Sequence, residues 1–168
     1  DLEQVREQRA SIDAAVRREL LRLALHNSGR SVPLQIVAVA FIVYLGWTVE
    51  CLAAATAAGI AGLGTALWRT RISRMYAAAG QLTEEQLRRA QWELEGNAAL
   101  AGVMWTVATL GIYPSLQGTT ATTYVAMIFG SITVAAFFMT LVDRAFLILA
   151  AVQLGSLVIV SAFFSHVQ

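Results

Sequence analysis

The sequence predicts an all-α protein: a polytopic membrane helix bundle with five spans and an amphipathic helix at its amino end. Three observations carry that prediction. The first is where the charge lies. The chain has twelve arginines and no lysine, with six arginines in residues 1–30 and five in residues 69–95. The second is where charge is missing. Stretches 31–49, 51–68, 96–142 and 145–168 contain no Asp, Glu, Lys or Arg. The third is bulk composition, 57% hydrophobic and 14% charged, with mean hydropathy +0.62. A soluble globule carries about 25% charged residues. Long uncharged runs separated by arginine-rich segments match a bilayer, and the arginines place those segments, with the amino terminus, on the cytoplasmic side.

The same composition excludes several classes. The net charge is +1 and the basic residues are matched by acids within the same segments, so there is no basic stripe for nucleic acid. A single cysteine, Cys51, forms no internal disulfide and no multi-thiolate metal site. The first thirty residues are polar and charged, unlike a cleavable signal peptide. The chain begins with Asp1, and the expectation is an excerpt of a longer product.

Taken in order, residues 1–30 form the cytoplasmic amphipathic segment and residues 31–168 the membrane bundle. Leu2, Val5, Ile12, Val16, Leu20 and Leu23 recur at helical intervals, with acids and arginines between them. That spacing suits a short coiled-coil seam or a helix lying on the membrane. His26 to Arg30 reads as a helix stop. Pro33 opens the first span, 32–49, because the first helical turn tolerates a missing N–H. Tyr44 and Trp47 sit near its far end, where aromatic belts lie. Glu50 and Cys51 make a short turn into the second span, 52–68. A polar cytoplasmic segment, 69–95, follows. In it, Gly80 and Gln81 read as a turn and Thr83-Glu84-Glu85-Gln86 as a capping box. A helix from Glu84 runs into the third span, 96–112. Tyr113, Pro114 and Ser115 begin an uncharged outer loop. The fourth span is 121–142, Asp143 and Arg144 form a tight charged turn, and the fifth span is 145–165. Five spans starting inside would leave Gln168 outside, so the odd count is expected to reflect truncation before a sixth span and an output domain; the alternative is that one of the five is re-entrant or that the chain ends outside.

Residues able to carry chemistry are few. Glu50, Asp143 and Arg144 lie at predicted span ends, and none falls at mid-span. That argues against ion-coupled transport, which needs ionisable groups within the bilayer. Glu50, Cys51 and His166 share the outer side but have no ligand spacing, so no metal site and no cofactor are expected. Asp143 and Arg144 read either as a solvated turn or as a latch to the arginine patches, coupling a helix shift to signalling. Gly59, Gly62 and Gly64, with Ala57, Ala58, Ala61 and Ala66, form a small-residue face for close helix packing, within the chain or across a dimer. Met127, Phe129, Phe137, Phe138 and Met139 cluster on the fourth span, and Phe146, Phe163 and Phe164 on the fifth. They fit ordinary packing or the lining of a lipid-ligand cavity. The span threonines and Ser131 are expected to bond their own backbone carbonyls. Asn97, Gln117 and Gln153 are the scattered remaining polar residues. No catalytic motif is present.

One stretch resembles a known family. Gly102 to Pro114, with Trp105 three residues in, is followed by the small-residue run Tyr124 to Ala136 and then by a tight turn and another apolar span. This resembles the multi-span, often six-helix, sensory input region of bacterial signalling proteins. Those proteins carry histidine kinase, diguanylate cyclase (GGDEF) or phosphodiesterase (EAL) output domains. Thr106, where the family often has glycine, and the Asp143-Arg144 turn, where proline is common, depart from its pattern. The resemblance implies a non-catalytic sensor in the bacterial inner membrane, a homodimer among membrane lipids. It would couple a small or lipid-like ligand, or a membrane signal, to c-di-GMP turnover or kinase output. Candidate ligand residues are then Trp105, Tyr113, Tyr124, Phe129, Phe137 and Phe138. The alternative is a small transporter or channel subunit for an uncharged solute; a lipid-directed enzyme is the weakest reading.

Overall fold

The computed structural model describes residues 2–77, 82–139 and 145–164, and every regular element among them is helical. The order is α1 (Leu2–Ser28), α2 (Val32–Thr48), α3 (Leu52–Ala77), α4 (Glu84–Gly111), α5 (Gly118–Met139) and α6 (Ala145–Phe164), with single 3-10 turns at Gly29–Ser31 and Tyr113–Ser115. Among the described residues, four segments are long and apolar enough to cross a membrane: Arg18–Thr48, Glu84–Ser115, Gly118–Phe137 and Ala145–Phe163. By length and composition this is a membrane protein. The expected span 52–68 forms the first part of α3 but is not among the four. Its apolar run is rich in Ala and Gly and is cut by Arg69.

The expected helix stop at His26 to Arg30 is only a tightening of one turn. Ser28 Oγ donates to the Leu25 carbonyl and Ser31 Oγ to the Ser28 carbonyl, both at 2.8 Å, so the chain keeps right-handed dihedrals throughout. Gly29 serves proximity here: a Cβ on it would lie 2.6 Å from Ser73 Oγ of α3. The face of α1 that packs inward is Leu21, Ala24, Leu25 and Ser28, while Val5, Ile12, Val16, Leu20 and Leu23 of the apolar stripe are exposed.

Helix α4 is the centre of the bundle, packed mainly on α3 and α6, while α2 packs on α3. Its first turn has the expected capping box: Gln86 N–H donates to Thr83 Oγ1 at 3.3 Å and Thr83 N–H donates to Gln86 Oε1 at 2.9 Å. At 28 residues it is about 42 Å long. Its inward residues include Ala98, Ala101, Met104, Trp105 and Ala108. Alanine at these positions lets neighbouring helices approach closely. At the far end Glu50 turns the chain between α2 and α3 in a left-handed conformation, φ 59°. There Gly46 lies against Ala55 and Ile112, and Gly111 against Ala54. Of the four candidate spans, the one formed by α5 is the least embedded. In its apolar window 17% of the residues are buried, against 44% for α4.

Candidate functional site

Because α5 stands away from α2, the bundle holds a cavity of about 430 Å³. Leu34, Gln35, Val37 and Ala38 of α2 form one wall. Thr123, Ala126, Met127, Gly130, Ser131, Val134 and Ala135 of α5 form the other. Ala101, Met104 and Trp105 of α4 make the floor, with Leu149 of α6. Leu34, Val37, Thr123, Ala126 and Gly130 are exposed, so the cavity opens sideways between α2 and α5, toward lipid in a membrane.

One end of this apolar chamber is polar. Ser31 and Arg69 line it there, and Arg69 is only 5% exposed. Its Nε donates to Asn97 Oδ1 at 2.9 Å and its Nη1 to Ser31 Oγ at 3.0 Å. Asn97, fully buried, donates through Nδ2 to the Thr65 carbonyl at 2.9 Å. Arg69 Nη2 is buried and has no hydrogen-bond partner. Among the described residues no carboxylate pairs with Arg69; the ion pairs join Arg18 to Glu84, Arg22 to Glu19 and Arg89 to Glu93. Further along α3, the Tyr76 hydroxyl donates to Glu93 Oε1 at 3.4 Å, and burial together with the Glu93 charge holds that phenol above its ordinary pKa.

Arg69 is the residue that sequence reasoning missed, having grouped it with the exposed arginines of the polar segment. Its signal was phase. Thr65, Arg69, Ile72 and Tyr76 recur at intervals of four, three and four, and all are buried, whereas Arg71 and Arg74 are exposed. In the sequence Asn97 stands as a scattered polar residue, and no spacing marks Ser31.

The expected ligand residues divide. Trp105 is 3% exposed and lines the cavity. Tyr124 is fully buried beside it, ring centroids 6.2 Å apart at 65°, and Tyr113 lies 5.5 Å from Tyr124 on its other side. Tyr124 Oη and Thr109 Oγ1 share a hydrogen bond of 3.0 Å. These three aromatics form a packed wedge between α4 and α5, touching the cavity only through Trp105. Phe129 and Phe137 are 53% and 83% exposed and do not line the cavity. The Phe138 side chain, Asp143, Arg144, Thr140 and His166 lie outside the described residues.

Other polar groups are satisfied locally. Thr106, Thr122, Thr123 and Thr133 donate to carbonyls four residues back, as expected. Gln153, buried in α6, donates to Ser131 Oγ of α5 at 2.9 Å. Cys51 Sγ contacts Ser115 Oγ at 3.5 Å. Among the described residues no group of three His, Cys, Asp or Glu side chains could hold a metal. Chemically, the site offers an apolar chamber with one fixed, partly unpartnered cation. Comparison with protein-family models, curated proteins and solved structures finds no match for this chain.

Proposed function

We propose that the chain is a non-catalytic, ligand-responsive membrane module, a sensory input region that binds a lipid-like molecule between α2 and α5. The observation that carries this reading is the sideways-opening chamber of about 430 Å³, within the usual ligand-site range of roughly 300–1,000 Å³. The loosely embedded α5 forms one wall, so an occupant would favour one position of that helix over another. A two-state packing equilibrium shifts by the ligand's differential affinity for the two states. The resemblance of 102–136 to bacterial sensory input regions supports the same reading. In that setting the module would cross the inner membrane five times, α3 included, with its arginine-rich end facing the cytoplasm. It would act as a homodimer on a kinase or c-di-GMP output. Asp143 and Arg144, next to α6, would be candidates for the coupling.

The test uses a neutral single-chain probe, hexadecanol, in proteoliposomes. Spin labels at Ile36 on α2 and Thr122 on α5, in a Cys51→Ser background, report the width of the cavity mouth. Addition of hexadecanol is expected to shift and narrow the distance distribution. An unchanged distribution at saturating hexadecanol counts against a responsive site. Protein-dependent uptake of an uncharged solute by the same vesicles would favour the transporter alternative instead.

A further inference from the structure

Arg69 is the charged residue of the chamber's lining, and apolar packing does not explain it. A guanidinium stays charged at any physiological pH, and burying a charge without a counter-charge is expensive. Here it is 95% out of solvent contact. The two acceptors that hold it, Asn97 Oδ1 and Ser31 Oγ, are neutral. Each is itself anchored, Asn97 on the Thr65 carbonyl and Ser31 on the Ser28 carbonyl. They fix the direction of the guanidinium without neutralising it. Nη2 is left with no acceptor, on a residue that lines the chamber. A buried, oriented, uncompensated cation beside an apolar cavity is the arrangement that recognises an oxyanion, since the guanidinium fork matches carboxylate and phosphate geometry.

We propose that Arg69 is the headgroup subsite of this chamber and that its ligand is a single-chain anionic amphiphile, a fatty-acid-like carboxylate. The inference rests on the reading of the chamber as a lipid-like ligand site. The carboxylate meets the guanidinium where Arg69 lines the polar end of the chamber, and the chain lies on Ala101, Met104 and Trp105 between Val37 and Gly130. Three features select this class. One cation with one free nitrogen suits a singly charged head. A chamber near the small end of the ligand-site range accommodates one aliphatic chain rather than two. The opening between exposed residues of α2 and α5 admits a molecule already dissolved in the lipid phase.

The experiment measures binding of tritiated palmitate to the chain in detergent micelles, against hexadecanol, hexadecyl phosphate and inorganic phosphate. Two variants accompany the native chain. Arg69→Met removes the charge, and circular dichroism checks that it folds. Gly130→Leu adds bulk to the chamber's lining, where a Cβ meets nothing within 4 Å. The expected result is that the native chain prefers palmitate to hexadecanol by about tenfold or more, the discrimination of one charge-assisted hydrogen bond. Arg69→Met should erase that preference while still binding hexadecanol, and Gly130→Leu should weaken both. Palmitate binding that survives Arg69→Met but falls in Gly130→Leu overturns the headgroup assignment and leaves the chamber reading intact. If Gly130→Leu changes neither ligand, the chamber reading itself fails. Displacement of palmitate by inorganic phosphate alone would reassign Arg69 to a free anion. Tighter binding of hexadecyl phosphate than of palmitate would overturn the choice of carboxylate.

Discussion

At the scale of residues, the contrast between Arg69 and Asn97 separates function from stability. Asn97 is fully buried and bridges two helices, accepting from Arg69 and donating to Thr65 of α3. Asn97→Ala removes the acceptor of a buried charged donor, at a cost of about 1–3 kcal/mol. Arg69 behaves differently. Arg69→Met removes an uncompensated buried charge that is costly to hold but leaves Asn97 Oδ1 without its donor, two effects that oppose each other. Arg69→Met is therefore expected to remain within about 1 kcal/mol of the native chain. Both values come from unfolding curves in mixed micelles. A loss well above that for Arg69→Met would show that the arginine is structural. Neither residue was legible as a pair. Residues 69 and 97 share no sequence spacing, and Arg69 stands among exposed arginines, so only the buried phase of α3 marks it as different.

At the scale of elements, sequence gave away what the backbone dictates locally and hid what depends on a neighbour. The capping box at Thr83 and the proline opening α2 were readable because each involves one turn of chain. The direction of the α1 stripe was not, because the face that packs is fixed by where α3 lies. The small-residue face of α3 shows the same divide. Gly59 lies against Val43 of α2, and Gly62 against Val39 of α2 and Met104 of α4, whereas nothing lies within 4 Å of a Cβ at Gly64. Much of the glycine run thus serves packing within the chain. Gly62→Ala would overlap both neighbours and is expected to destabilise by about 1–3 kcal/mol. Gly64→Ala meets open space and gains helix propensity, so a stabilisation of up to about 1 kcal/mol is expected. Unfolding in sodium dodecyl sulfate, followed by circular dichroism, reads both. Equal losses would mean that Gly64 also faces a close partner, such as a second copy of the chain.

At the scale of the whole molecule, the bundle divides into a tight set and a loose helix. Helices α2, α3 and α4 meet through glycine and alanine at one end and through the Arg69–Asn97–Ser31 network at the other. Helix α5 is tied by the Tyr113–Tyr124–Trp105 wedge and by the Gln153–Ser131 bond to α6, with the chamber along the rest of its inner side. Composition announced a helical membrane bundle, but no count of apolar residues could announce this unevenness, since the α5 span is no less apolar than the α4 span, which is the most buried of the four. Local opening free energies follow buried contacts, so backbone amides of α5 should exchange with deuterated water before those of α4 in the same micelles. Palmitate or hexadecanol should then slow exchange along Thr123 to Ala135, the wall they cover, and leave α4 unchanged. Exchange in α5 as slow as in α4, with no response to either probe, would mean that the chamber is a rigid void, and a module that responds to a ligand by moving α5 could not be built on it.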